Sequence, residues 1–449
     1  MDIWAPPRAL SQELRVPNRW VQLLAGIVAM MAIANLQYAW TLFTQPLTSN
    51  LHATLAAVQV AFAAFVLAET WLVPFEGYLV DRLGPRLMLA IGGVLVGLGW
   101  IGAGRALSVR ELIIYYTLGG AGAGVVYGAT IGNALKWFPD YRGLCVGLTA
   151  GAYGVGTALT VAPIAKMIRT AGYAHTFVIW GIIQGLVVLA AAVFIVGPPA
   201  GWSPPGWKEK EVQIKAHVHT SSFDCTPGEM MRTGSFWLIY VMMTMLAFGG
   251  LVVTAQLSPI ASYYHVEKVI VLFGLPALVL AIEVNRVLNG LTRPFWGWVS
   301  DHIGRENTMF IAFLLEAIAV FGLLQLISKP IWFILLSGLA FFAWGEIFSL
   351  FPAITGDLYG KTWATTNYGI VYTAKGIASI FAGPVAALAS AKTGSWVTIF
   401  WIMIACDVMA AFMALLWLKP LAKRTVRRVD KVRQAVVAIA SDQQTRGAA

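Results

Sequence analysis

Long apolar runs alternate with short polar breaks along the whole chain. Six runs, near 20–43, 55–80, 87–104, 112–135, 143–168 and 175–197, precede a mixed polar stretch. Six more follow it, near 235–258, 269–299, 308–327, 330–352, 367–389 and 395–418. Runs of roughly 20 residues match a hydrocarbon core about 30 Å thick, at 1.5 Å of helix rise per residue. Lipid offers no partner to a backbone N–H or C=O, so each run is expected as a helix. The short alternating segments of a barrel are not visible. The pattern predicts an all-α membrane protein of twelve transmembrane helices in two six-helix halves. The expected divisions are a first half over 1–197, a cytoplasmic linker over 198–234, a second half over 235–418 and a basic cytoplasmic tail over 419–449.

Composition narrows this picture. Hydrophobic residues make up 58% of the chain and charged residues 12%. A soluble domain carries about 25% charged residues, so most of this surface is expected to meet lipid. If both termini face the cytoplasm, 21 of the 31 Lys and Arg fall on the cytoplasmic side and 7 on the other. Without the tail the bias is still 13 against 7, which fits the positive-inside rule. The net charge of +10 therefore reads as topology and attraction to a lipid surface, not as nucleic-acid binding. The first run is too long for a signal-peptide core and is expected to be retained. Cys145, Cys225 and Cys406 are far apart and show neither a disulfide framework nor a metal spacing. A membrane-embedded enzyme would need a metal cluster or a nucleophile–base set, and no such spacing occurs. No cofactor and no metal is expected, and the chain is expected to act as a monomer.

A repeat joins the two halves. Gly77-Tyr-Leu-Val-Asp81-Arg82-Leu-Gly84-Pro-Arg86 returns 220 residues later as Gly297-Trp-Val-Ser-Asp301-His-Ile-Gly304-Arg305. Both copies fall on the cytoplasmic side, where a tight glycine turn with Asp and Arg can latch the halves in one state. Gly120, Gly124, Gly128 and Gly132 lie on one face of the fourth run, a spacing that lets helix backbones approach closely. Parallel six-helix halves with the substrate between them at mid-membrane are one way transporters are built.

Ionisable residues inside the runs cost about 2.5–3.5 kcal/mol each on insertion scales, and they usually face the bundle interior. Arg293 and Lys375 sit near the middle of the eighth and eleventh runs, with no acidic residue at helical-neighbour spacing. A guanidinium can grip a carboxylate with two hydrogen bonds, and an ammonium adds a second point charge. The pair suits a small dicarboxylate, or two monocarboxylates in turn. The alternative is that each cation pairs with Glu69, Glu283 or Glu346 across helices. Arg286, Asn289 and Arg293 share one helical face, and Glu283 stands three residues before Arg286, where the two can neutralise each other. Glu346, in an otherwise aromatic stretch, could be neutral or paired with Lys375 or Arg293. Either Glu346 or Glu69 could carry a coupled proton. Glu316 and Asp407 read as packing or lipid-edge residues. Tyr38, Tyr127, Trp344, Phe348 and Tyr372 are mid-run aromatics near this polar set, and Gln37 and Gln59 are mid-run amides able to donate to an anion.

The repeated glycine turn resembles the signature of the major facilitator superfamily, with Pro85 and His302 as departures. Several segments resemble the oxalate–formate antiporter family more specifically. They are Asn18-Arg-Trp, Gln37-Tyr38-Ala-Trp-Thr-Leu, Ala56-Ala-Val-Gln59, Trp137-Phe-Pro-Asp-Tyr-Arg-Gly143, Arg293-Pro-Phe-Trp-Gly and Lys375-Gly-Ile-Ala-Ser. That resemblance implies the major facilitator fold and substrate carboxylates bound by Arg293 and Lys375. It also implies a pocket of Gln37, Tyr38, Gln59, Tyr127 and Trp344. Phe348 stands where the family has tyrosine, Tyr372 where it has tryptophan, and Glu346 where it has a small residue. Oxalate–formate exchange is the function so implied, with proton-coupled monocarboxylate uptake as the alternative and a non-transporting nutrient sensor as a third. The implied location is a bacterial inner membrane.

Overall fold

The computed structural model describes residues 17–138, 140–199, 202–204, 224–360, 363–422 and 424. Most of the expected linker and tail, at 200–201, 205–223, 423 and 425–449, lies outside the described residues. The first half contains α1 (Arg19–Tyr38), α2 (Trp40–Asn50), α3 (Leu55–Trp71), α4 (Val73–Leu83), α5 (Pro85–Arg105), α6 (Val109–Trp137), α7 (Arg142–Val155) and α8 (Val161–Phe194). After the short α9 (Pro227–Met231) come α10 (Gly234–Tyr263), α11 (Ala277–Ile303), α12 (Arg305–Leu326) and α13 (Pro330–Trp344). The last are α14 (Ile347–Tyr359), α15 (Ala364–Ile380), α16 (Ala386–Thr393) and α17 (Val397–Met413).

Ten helical stretches are long and apolar enough to cross a membrane. One of them, Gly147–Phe194, has 48 residues, more than twice what a bilayer needs. Gly172 lies within it at φ 82° and ψ 162°, so the stretch is two spans joined by a turn. A twelfth span, α11, escapes a hydropathy criterion because Glu283, Arg286, Arg293 and Asp301 lie on it. Its expected start near 269 is too early. Residues 269–276 form a bridged loop instead, with Val271 N–H donating to Leu275 and Ala277 N–H to Val269. Gly274 at φ 70° and Pro276 at the helix start account for the delay.

Several spans are interrupted along their length, the fifth by a 3-10 turn over Gly156–Leu159 between α7 and α8. α1 and α2 break at Ala39, α3 and α4 at Leu72 before Pro74, and α13 and α14 at Gly345–Glu346. α15 passes through a π turn over Phe381–Val385 around Pro384 before α16. A proline removes one backbone donor and crowds the carbonyl four residues back, which loosens the helix there. These interruptions bring Tyr38, Glu69, Trp344 and Lys375 to the centre of the bundle.

The halves meet along three helix pairs: α3 with α15, α7 with α11, and α2 with α10. Small residues set the separations. A Cβ on Gly120 would lie 2.3 Å from the Phe65 carbonyl oxygen, and one on Gly124 2.8 Å from that of Glu69. Gly128 and Gly132, from the same sequence stripe, face open space. The repeated turns recur in the backbone: Gly84 (φ 83°, ψ 153°) ends α4 and Gly304 (φ 89°, ψ 154°) ends α11. Positive φ at both positions requires glycine. Outward faces are apolar throughout, with Leu24, Leu98, Leu186, Phe273, Leu291 and Trp417 exposed, as a lipid-facing surface requires.

Gly120→Ala is expected to push α3 from α6 and cost about 1–3 kcal/mol. Thermal unfolding in detergent should show a drop of several degrees for Gly120→Ala and none for Gly128→Ala.

Candidate functional site

The centre of the bundle is built around Lys375, which is fully buried on α15. Its Nζ donates to Gln37 Oε1 at 3.0 Å, Glu69 Oε2 at 3.0 Å and the Tyr372 hydroxyl at 3.1 Å. Three helices converge here: α1 brings Gln37, α3 brings Glu69, and α15 brings the lysine and Tyr372. The Tyr153 hydroxyl on α7 lies 2.9 Å from both Gln37 Oε1 and Glu69 Oε1. With one proton, it donates to one of them at a time. Lys375 is therefore ion-paired across the two halves, as the alternative reading of the sequence had it.

Arg293 is satisfied differently. Its Nη1 donates to the Ala150 carbonyl at 2.5 Å, and its guanidinium carbon stands 4.4 Å from the Phe348 ring centroid. Nε has no partner, and no carboxylate pairs with Arg293 among the described residues. Lys375 Nζ is 5.7 Å from the same Phe348 centroid. The two cations lie against one ring and so are at most about 10 Å apart. A two- or three-carbon dicarboxylate, with a hydrogen bond of about 2.8 Å at each end, spans such a gap.

Aromatic rings close the sides. Tyr127 stacks on Tyr372 at 6.0 Å and meets Tyr153 edge-on at 5.9 Å. Phe348 packs edge-on against Trp344 and Tyr372. The Trp344 indole covers Gly250, where a Cβ would come within 2.0 Å of the ring. Its N–H is taken by the Leu246 carbonyl at 3.1 Å, so Trp344 supplies a wall and no free donor. Gln59 is not at the centre either. It donates to the Ala255 carbonyl and Gln256 Oε1 and accepts from the Trp40 indole, joining the halves one layer away. Thr41 Oγ1 accepts from Ser258 N–H in that same layer at 2.7 Å, so this end of the bundle is closed.

Arg286 departs from expectation. Glu283 is half-buried and forms no ion pair with it among the described residues. Arg286 instead sits between the rings of Tyr38 and Phe341, with its guanidinium carbon 4.1 Å from each centroid. The two side chains are three residues apart, a spacing that permits a pair, yet Arg286 takes the rings instead. Glu346 is also unpaired. Both its oxygens lack a partner among the described residues, and it bonds neither Arg293 nor Lys375. Glu316 and Asp407 are not at the lipid edge. They are 1% and 0% exposed, and both lie beside Gly249.

The glycine turns end in arginines that bind within their own halves. Arg86 donates to the Ile195 and Val193 carbonyls at the end of α8. Arg305 donates to Asp357 on α14 at 3.1 Å and to Ser300. Arg82 is exposed, and a Cβ on Gly297 would meet open space. The side chains of Gly77, Asp81 and Asp301 lie outside the described residues.

Two members of the site escaped the sequence reading. Tyr153 lies in Gly151-Ala-Tyr153-Gly154, where its hydroxyl was the one polar group in a run of small residues. Glu76 is buried beside Glu69 and Gly124, with neither oxygen bonded among the described residues. Its signal was the seven-residue spacing from Glu69, two helical turns on one face.

The family model described as Major Facilitator Superfamily matches residues 23–290 and 285–444. The chain is 35% identical over 419 residues to the "Oxalate:formate antiporter" of Oxalobacter formigenes, covering 92% of this chain and 95% of the relative. It is 27% identical over 375 residues to an uncharacterized MFS-type transporter, YhjX, of Escherichia coli strain K12, covering 81% and 86%. Human monocarboxylate transporter 12 is 21% identical over 398 residues, covering 82% and 73%. Among solved structures, a crystal structure of the D-xylose-proton symporter superposes with a TM-score of 0.69 at 16% identity, covering 89% of this chain and 98% of that one. The inward-open xylose transporter XylE of E. coli gives the same TM-score and identity, covering 89% and 96%.

Removing one partner of a buried ion pair leaves the other charge stranded, a loss of about 3–5 kcal/mol. Lys375→Gln and Glu69→Gln are each expected to lower the unfolding temperature clearly, and the double substitution to recover much of the loss. Additive losses in the double variant would show that the pair contributes nothing as a pair.

Proposed function

This chain belongs to the Major Facilitator Superfamily, and from that premise we propose a secondary transporter of small carboxylates working by alternating access, with oxalate–formate exchange as its reaction. One observation carries the reading: Arg293 is a buried cation with an unbonded Nε and no carboxylate partner among the described residues, against the same ring as Lys375. A buried charge of this kind is costly until an anion matches it. One end of a dicarboxylate would take the Arg293 fork. The other would displace Glu69 from Lys375, with Phe348, Tyr372 and Tyr127 as walls. Gln37 and Tyr38 line the same centre, while Gln59 and Trp344 hold the frame. The turns at Gly77–Gly84 and Gly297–Arg305 would restrain the rocking of the halves. Both termini are placed in the cytoplasm, the carrier in a bacterial inner membrane, and the working unit is a monomer.

A second reading has its own observation. Glu69 already occupies the Lys375 ammonium, so a substrate carboxylate gains that position more readily once Glu69 takes a proton. Proton-coupled uptake of a monocarboxylate would follow, with Glu69 as carrier; the unpaired Glu346 is the other candidate.

Reconstituted protein separates the two. Exchange predicts labelled oxalate uptake into liposomes loaded with formate, little into empty ones, and net charge movement, since a dianion crosses against a monoanion. Symport predicts acid-stimulated uptake into empty liposomes. In that case Glu69→Gln should lose pH-driven accumulation yet keep counterflow. Under exchange, Arg293→Gln should cut the rate at least about tenfold, and Lys375→Gln should weaken dicarboxylates more than monocarboxylates. Absence of oxalate uptake under every loading sinks exchange.

A further inference from the structure

Among the described residues, Arg286 is the one buried cation that the proposed exchange does not use. It is 2% exposed on α11, and its Nε and Nη1 have no hydrogen-bond partner among the described residues. The charged groups around it offer no compensation. Arg293 lies two turns further on, Glu283 forms no ion pair with it among the described residues, and Tyr38 and Tyr153 are phenols beside it. Only two ring faces hold it, and they come from opposite halves: Tyr38 from α1 and Phe341 from α13. A ring face stabilises a guanidinium less than a bidentate carboxylate does, so the cage can yield to an anion.

Asn289 lies between the two arginines on the same face. Its Nδ2 donates to the Tyr38 hydroxyl at 3.2 Å, and its Oδ1 has no partner among the described residues. Arg286 and Arg293 are seven residues apart, about 10.5 Å along the helix axis. Tyr38 is the last residue of α1, directly before the break at Ala39, so a swing of α2 moves the lid of the cage. The closed layer of Thr41–Ser258 and Gln59–Gln256 lies on the same side of the site as α2.

Resting on the carboxylate-exchange reading, we propose that Arg286 is a second anion station and sets the preference for divalent substrates. When the halves part at the closed end, Tyr38 leaves Arg286. The freed guanidinium takes the carboxylate of the entering anion and hands it past Asn289 to Arg293. No bond is made or broken. The anion exchanges one set of donors for another, and the rings return to Arg286 behind it.

The test uses the full chain in liposomes, with labelled oxalate and formate as probes and half-saturating concentrations measured from each face. Arg286→Gln is expected to raise the value for oxalate about tenfold or more at the face toward the Thr41–Ser258 layer. Formate should rise less, and the opposite face should change under threefold. A folded Arg286→Gln protein with unchanged values at both faces overturns the station. Equal losses at both faces and for both anions also overturn it, leaving only a packing role. If Arg286→Gln does not fold, Arg286→Lys decides: a several-fold rise for oxalate at that one face supports the station, and no rise overturns it. Unmodified protein that moves neither anion sinks the exchange reading and the station together. Unmodified exchange with an indifferent Arg286 variant sinks the station alone.

Discussion

A charge inside a low-dielectric bundle must find a partner, and that requirement organises the centre of this protein. Among the described residues, the three buried cations all belong to the second half, and each is held in its own way. Lys375 takes a carboxylate from the other half. Arg293 takes a backbone carbonyl and the face of Phe348. Arg286 takes two ring faces. This series runs from full neutralisation to none, so the site keeps an appetite for an anion even with Glu69 in place.

The same contacts also help to hold the halves together. Lys375–Glu69, Arg293–Ala150 and Arg286–Tyr38 all cross between the halves. A substrate that competes for these cations therefore also competes with the interface. Binding and rearrangement then share one set of interactions, which is how a ligand gains differential affinity for two states. Close glycine contacts, such as Gly154 against Gly290 at 3.1 Å, let the helices carrying these residues approach along smooth surfaces.

Irregular backbone occurs where this centre needs it. The breaks at Ala39, Leu72 and Gly345–Glu346 and the π turn near Pro384 all occur in spans that supply the site or its walls. Membrane-depth backbone tolerates such breaks only where protein or a cavity can satisfy the freed groups. The uninterrupted spans α5, α6 and α12 form the surrounding frame. Glu316 and Asp407, with Glu346 beyond them, sit in the core of the second half and away from the bonded cations.

Twelve spans, their order, the repeated glycine turn and the asymmetric placement of Arg293 and Lys375 were all legible in the sequence. The reason is physical: spanning length, backbone satisfaction and glycine at positive φ are local demands that each segment meets alone. Gly84 and Gly304 show this most directly, since their spacing in the chain became matching backbone angles. Partnership was not legible. Nothing in the chain says that Lys375 would meet Glu69, 306 residues away, or that Arg286 would prefer two rings to the acid three residues before it. Nor could the run around Trp344 reveal that its indole N–H is already taken by Leu246. Which charge meets which depends on how helices rotate and close upon one another, and only the packed bundle decides that.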